Sequence, residues 1–427
     1  MKKYGQLLAT LSLFLLLGCG SSGDSKHGET TPSPENADLS NTFAYESSSQ
    51  YKSVLTSCAS AKKESESCSL EKLPFLAQES AVPSKEMIMK RVVVSHEWMG
   101  RRFAEMLDLL DDDIKILLGA VTAIVIDDDI IPSYYWALTG AMYLDPRYLY
   151  LTQEELATIK KREDYRSSFS NNLKFLETRR SLINGADATP INATRTKESI
   201  KLKLASLLYH ELAHANDYYP PYLRTEVNPS NTIYENLSSI SSRNVSHALY
   251  EEYPLSSDEL YKMGQVMYRG KTATAEQKST TATQMGTLFS HENASTMYAY
   301  SSVFEDTATL FQNAMMKLHY NVEVDFAFLN RPTKTGKLYC SDYIVGWGER
   351  NTVAKEGVKR RAIFVAKKFF PTQTDLEQKL NNQLGSAQLL RTQIDWCSSK
   401  NINTSSNKQF KIHKEKINPD DFKMLAL

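Results

Sequence analysis

Apolar positions along this chain recur mostly at helical spacing, with short β-branched runs between them. Ser84, after Pro83, predicts an N-cap for a helix over 84–118, where Met87, Met99, Phe103, Met106, Leu107 and Leu110 fall at helical intervals. The run 121–126, Val-Thr-Ala-Ile-Val-Ile, predicts a strand closed by Asp127-Asp128-Asp129, and 140–145 a second strand ending at Pro146. Residues 153–185 are polar and are assigned to helix. Thr196 predicts the cap of a further helix, with Glu198 in its first turn, Ile200, Leu204, Leu207 and Leu208 on its apolar face, and Pro220-Pro221 as its stop. Residues 225–290 read as a long insert, with Ser257 and Thr274 capping two helices in otherwise polar loop. A helix over 301–319 carries Phe304, Ala308, Phe311 and Met315 on one face, 322–328 alternates like a strand, and 375–396 completes the set as a C-terminal helix. The fold class is α+β, mostly helical with a small mixed sheet.

The N-terminus reads differently. Lys2 and Lys3 precede an apolar run, Leu7 to Leu17, of signal-peptide length. Leu16-Leu17-Gly18-Cys19 resembles the bacterial lipobox, which implies a signal peptide over 1–18 and a lipid on Cys19. Gly20, where Asp would favour inner-membrane retention, points to an outer-membrane lipoprotein of the cell envelope. Residues 19–50, rich in Ser, Gly, Pro, Thr and Asn, are expected to be a disordered tether. One domain is expected over 51–397, with an N-terminal helical part over 51–118, and a polar tail over 398–427. The even set Cys58, Cys68, Cys340 and Cys397 in an exported chain favours disulfides. Cys58–Cys68 is the natural local bridge; Cys340–Cys397 would then tie a late loop to the C-terminal helix, with other pairings open. The formal net charge is zero and no basic stripe stands out, so no nucleic-acid partner is implied.

The candidate chemistry lies in His210-Glu211-Leu212-Ala213-His214. On a helix, positions i and i+4 share a face, so two imidazoles can share one Zn²⁺, with Glu211 about 100° away and in reach of a water on the metal. Such a site needs a third protein ligand. Asp217 continues the face, but seven residues from His210 rise about 10 Å, too far for one ion. Asp217 therefore reads as a carboxylate behind the ligands, either accepting an imidazole N–H or packing at the helix end. Glu305, at the head of the 301–319 helix, is the preferred third ligand, although Ser302-x-x-Glu305 equally fits a capping box. His96-Glu97 reads as a surface pair, because Gly100 stands where a second ligand is needed. Asp127-Asp128-Asp129 lacks the alternation of a calcium loop and reads as a solvated turn.

With these residues the chain resembles the gluzincin zinc metallopeptidases, specifically the anthrax lethal factor catalytic-domain group. That group carries H-E-F-G-H-A-x-D-x-Y, against His210-Glu211-Leu212-Ala213-His214-Ala215-Asn216-Asp217-Tyr218-Tyr219. Its later motif places a tyrosine seven residues before a ligating glutamate in E-F-F-A-E, against Tyr298 and Glu305-Asp306-Thr307-Ala308-Thr309. The likeness covers the two motifs only, and Thr309 departs from it where the group has a second glutamate. The resemblance implies a zincin-like fold and Zn²⁺ on His210, His214 and Glu305. Glu211 would be the general base and Tyr298 the transition-state donor, with Tyr300 as runner-up, and Asp217 and Asp306 would stand behind the metal site. The implied activity is hydrolysis of a protein or peptide in the cell envelope, with the strands near 121–126 and 141–144 forming the sheet whose edge lines the cleft. The alternatives are a non-catalytic zinc-binding envelope lipoprotein and a zinc amidase acting on peptidoglycan peptides.

Overall fold

The computed structural model describes residues 37–189, 194–333 and 338–401. Cys19, the signal segment and residues 402–427 of the tail lie outside them. The described chain is mixed α+β, about 48% helical, with small sheets. No helix among the described residues is long and apolar enough to cross a membrane.

The first sheet holds β1 (Phe43–Ala44), β2 (Val92–Val94), β3 (Ile124–Ile126), β4 (Tyr134–Trp136) and β5 (Ala141–Leu144), in the order β1-β2-β3-β5-β4. β2, β3 and β5 run parallel, while β1 and β4 close the two edges antiparallel. The expected strands near 121–126 and 141–144 thus pair inside the sheet, and β4, not foreseen, is its edge. The helix expected over 84–118 is interrupted. Lys85–Met89, Glu97–Leu107 and Asp112–Leu117 are helical, but Val92-Val93-Val94 leaves as a fully buried strand. Three successive β-branched residues suit a strand covered on both faces better than a helix turn. Part of the span assigned to the tether, from Ala37 on, is folded. Ala37 is buried, and Phe43–Ala44 pairs with Val93 and Val94.

A second sheet, wholly antiparallel, is the largest departure from expectation. It comprises β6 (Phe175–Ile183), β7 (Ala186–Asp187), β8 (Glu323–Asn330), β9 (Ile344–Arg350) and β10 (Gln388–Leu389), in the order β10-β9-β8-β6-β7. All of β6 lies in the stretch assigned to helix. Its sequence, Phe-Leu-Glu-Thr-Arg-Arg-Ser-Leu-Ile, is polar because its charges are paired inside the fold. Arg180 meets Asp325 of β8 at 2.7 Å, and Arg179 meets Glu177 at 2.8 Å. The C-terminal helix ends at Gln383, not near Trp396; Gly385 at φ +72° turns the chain so that Gln388–Leu389 can pair with β9. Both disulfides, Cys58–Cys68 and Cys340–Cys397, are present, and Cys397 lies in irregular chain rather than in a helix.

Four helices frame the space between the sheets: α1 (Lys197–Tyr218), α2 (Asp258–Arg269), α3 (Val303–Tyr320) and α4 (Glu356–Phe369). α1 starts at a capping box, in which Thr196 Oγ1 accepts the Ser199 N–H and Ser199 Oγ accepts the Thr196 N–H. Its Leu204, Leu207, Leu208 and Leu212 share one core with Ile124, Ile126, Met142 and Leu144 of the first sheet and with Leu310, Phe311 and Met315 of α3. Fully burying side chains of this size contributes about 1.5–3 kcal/mol each, which clamps α1 between sheet and α3. The 225–290 insert is mostly helical. Ser257 and Thr274 cap helices as expected, and Ile233–Ile240, Val245–Glu252 and Ala282–Ser290 are helices where loop was expected. The 4- and 3-residue steps of Ile233, Leu237 and Ile240, all buried, carried that signal.

Candidate metal centre

His210 and His214 stand in the last two turns of α1, rings 5.0 Å apart and nearly perpendicular. Glu305 stands in the first turn of α3, which Ser302 caps by accepting the Glu305 N–H at 3.2 Å. Only half of the capping box forms, because the Glu305 side chain turns to the imidazoles instead of back to Ser302. Glu305 Oε2 is 3.1 Å from His210 Nε2 and 3.3 Å from His214 Nε2, and all three side chains are largely buried. Two ligands each about 2.0–2.2 Å from a tetrahedral Zn²⁺ stand about 3.3 Å from one another, so the observed spacings fit one ion.

Proton bookkeeping supports the same reading. Gln312, seven residues after Glu305 on α3, donates its Nε2–H to Ser206 Oγ and turns Oε1 toward His210 Nδ1 at 3.1 Å. Nδ1 then carries the hydrogen, and the Nε2 lone pair faces a carboxylate oxygen. A proton on Nε2 or a cation between the two atoms satisfies that contact. The imidazoles in turn pull the Glu305 carboxyl well below the ordinary range against the effect of its burial.

Two other groupings of donor side chains fail this test. Cys340 and Cys397, near Asp395, are joined in a disulfide and offer no thiolate. Around His319, Nδ1 faces Asp111 and Nε2 faces Asp113, each at 2.9 Å, so the two carboxylates approach opposite ring nitrogens. That arrangement is an imidazolium held by two acids.

Glu211 is buried, and its burial, with Glu305 nearby, raises its pKa against the lowering effect of the two imidazoles and of Arg166. Tyr298 lies in the turn Met297–Tyr300, its ring 6.0 Å from and roughly parallel to that of His210, and edge-on to Tyr268 of α2 at 4.9 Å. Gly264 lets α2 come this close, since a Cβ there would stand 2.4 Å from the Tyr300 carbonyl oxygen. The runner-up Tyr300 points elsewhere and donates its hydroxyl to Glu292 at 2.8 Å.

Of the two carboxylates expected behind the metal, Asp217 interacts electrostatically with His214, whereas Asp306 turns to another partner. Asp217 is buried and accepts the Ser246 N–H at 2.7 Å, joining the end of α1 to the helix Val245–Glu252. Asp306 forms a buried fork with Arg361 of α4, which also donates to the Tyr253 and Asn293 carbonyls. It fixes α3 against α4 and does not reach the imidazoles. Thr309 donates to the Glu305 carbonyl and stiffens the turn that carries it. Gln312 was missed, although its seven-residue step from Glu305, two helical turns, placed it on the same face. His96 is the residue before helix Glu97–Leu107; its Nδ1 contacts Ser95 and lies 3.8 Å from Asp128 Oδ2. The Asp triplet is not solvated. Asp127 and Asp129 are buried, with Lys160 and Arg162 neutralising Asp128 and Asp129.

The chain matches no protein-family model, no curated protein and no solved structure.

Proposed function

We propose that this protein is a zinc-dependent metallopeptidase of gluzincin type and zincin-like fold, hydrolysing peptide bonds of a protein or peptide in the bacterial cell envelope. The observation that carries the reading is the single Glu305 oxygen facing Nε2 of both His210 and His214. These three residues would hold the metal. Zn²⁺ supplies such a site with a water acidified toward neutrality and with polarisation of a carbonyl.

The rest of the chemistry belongs to side chains. Glu211, one residue after His210 and buried beside the imidazoles, takes the proton of the attacking water and delivers it to the leaving amine. Tyr298, beside His210, donates its hydroxyl to the developing oxyanion. Gln312 orients His210. The antiparallel edge strand β4 borders α1, with Tyr135 stacked 6.0 Å from Tyr218, and offers an extended peptide an edge to pair with. The envelope location rests on the Leu16-Leu17-Gly18-Cys19 sequence and its lipid, and the two disulfides suit an oxidising compartment.

The direct test is Glu211→Gln. It is expected to keep zinc at wild-type stoichiometry and to lower the chelator-sensitive cleavage of denatured proteins by about 10²–10⁴-fold. Unchanged cleavage would remove Glu211 from the base role. A wild-type, zinc-loaded chain inert on proteins and on cell-wall sacculi would instead favour a binding protein.

A further inference from the structure

Two turns next to Glu211 repeat one arrangement. In Asp145-Pro146-Arg147, Asp145 Oδ1 accepts the Arg147 backbone N–H at 2.8 Å, and Arg147 Nε reaches the two carboxylate oxygens at 2.9 and 2.8 Å while Nη2 bonds Oδ2. In Asp164-Tyr165-Arg166, Asp164 Oδ1 accepts the Arg166 N–H at 2.9 Å, Nε lies 2.9 and 3.1 Å from the two oxygens, and Nη2 reaches Oδ2. Each guanidinium is therefore locked along its Nε–Nη2 edge by the acid two residues before it. Among the described residues, neither Nη1 has a hydrogen-bond partner. Arg147 is 35% exposed over an Asp145 that is 2% exposed, while Arg166 and Asp164 are 21% and 30% exposed, so both guanidiniums keep solvent access.

The two clamps are neighbours of each other and of the candidate centre. Arg147 interacts electrostatically with Asp164. Tyr148 lies within electrostatic range of Arg147, Arg166 and Glu211, and Arg166 within that of Tyr298. Packing agrees. The turn Pro146–Tyr148 lies against α1. The turn Tyr165–Ser168 leads into Phe169, whose ring lies within 2.9 Å of a Cβ placed on Gly270, two residues beyond the Tyr268 that abuts Tyr298.

We propose that Arg147 and Arg166 together form a carboxylate receptor that takes an acidic group of the peptide substrate beside the scissile bond. This rests on the peptidase reading of the same site. A guanidinium held along one edge presents its remaining N–H groups in a fixed direction, and two of them side by side match the two oxygens of a carboxylate. Holding the arginines beforehand spares binding the rotamer entropy that free surface arginines lose. Because each clamp carries its own acid, recognition depends on donor direction more than on net charge. A carboxylate accepts from both arginines, whereas a glutamine amide offers one oxygen and turns an N–H toward a donor. The carboxylate can come from an acidic side chain or from a peptide C-terminus.

The test uses the full chain carrying Glu211→Gln, loaded with zinc, and fluorescent peptide pools that place Glu, Gln or Lys at one position, each with a free or an amidated C-terminus. Anisotropy titration is expected to show binding about 10-fold tighter for the carboxylate-bearing member of a matched pair. A Glu-over-Gln preference assigns the receptor to a side chain, and a free-over-amidated preference assigns it to the C-terminus. Adding Arg147→Gln or Arg166→Gln is expected to abolish the preference. Should either fail to fold, Arg147→Lys and Arg166→Lys keep the charge, lose the fork and are expected to remove most of it. Peptides bound with equal affinity in both matched comparisons would overturn the proposal, as would a preference that survives in the folded arginine variants. Preference without any cleavage by the wild-type chain keeps the receptor and removes the peptidase reading. Chelator-sensitive cleavage without preference does the reverse, and neither binding nor cleavage counts against both.

Discussion

Glu305 Oε2 stands 3.1 Å from His210 Nε2 and 3.3 Å from His214 Nε2, across 95 residues of sequence in the first case. The contact joins the last turns of α1 to the first turn of α3. Glu305→Ala is expected to lower zinc affinity by at least about 100-fold while the fold persists, because the helices are held by the Leu212–Leu310–Phe311 core rather than by this carboxylate. Metal analysis after gel filtration reads the outcome. Stoichiometric zinc in the variant would move the third ligand to another side chain.

Gln312 sets which nitrogen of His210 faces Glu305. Gln312→Ala frees that ring to rotate or change tautomer. Loss of such an outer partner typically weakens a metal site about 10- to 100-fold, and competition with a chromophoric chelator would measure it. An affinity equal to wild type would leave Gln312 as packing alone.

The two tyrosines of the turn Met297–Tyr300 separate cleanly in structure. Tyr298→Phe is expected to lower kcat by about 10²–10³-fold with KM little changed, the signature of a donor used only in the transition state. Tyr300→Phe loses the hydroxyl bond to Glu292 and is expected to leave kcat in place while lowering the melting temperature by a few degrees. Equal kcat losses in both variants would assign the effect to the turn as a whole.

His319 supplies a pH signature of stability unrelated to the metal. Its two acids override the cost of burial and raise its pKa from 6.5 to about 9. A raised histidine stabilises the fold fully below about pH 6.5 and loses that contribution as pH climbs to about 9. Discounted for its partial exposure, the contribution is on the order of 2 kcal/mol. Urea midpoints for wild type should fall between pH 6.5 and 9 more steeply than for His319→Gln. Parallel pH profiles would show that the ion pairs contribute nothing net.

Local features of this protein were readable without a structure because their physics is local. The one-face spacing of His210 and His214, the Thr196 cap, the Pro220 stop and the Ser302 cap each depend on neighbours within about two helical turns. Glu305 could be nominated from its place at a helix head, but its rival role as a cap partner was separated only when α3 packed on α1 and offered it the imidazoles. The second sheet was illegible for the opposite reason. Arg179, Arg180 and Glu177 make β6 look like a solvated helix until Asp325, 145 residues away from Arg180, supplies the countercharge and β8 supplies the ladder. Asp217, Asp306 and Gln312 show the same division: a buried polar group takes whichever partner tertiary packing brings within about 3 Å, and sequence spacing cannot rank partners that arrive from other elements.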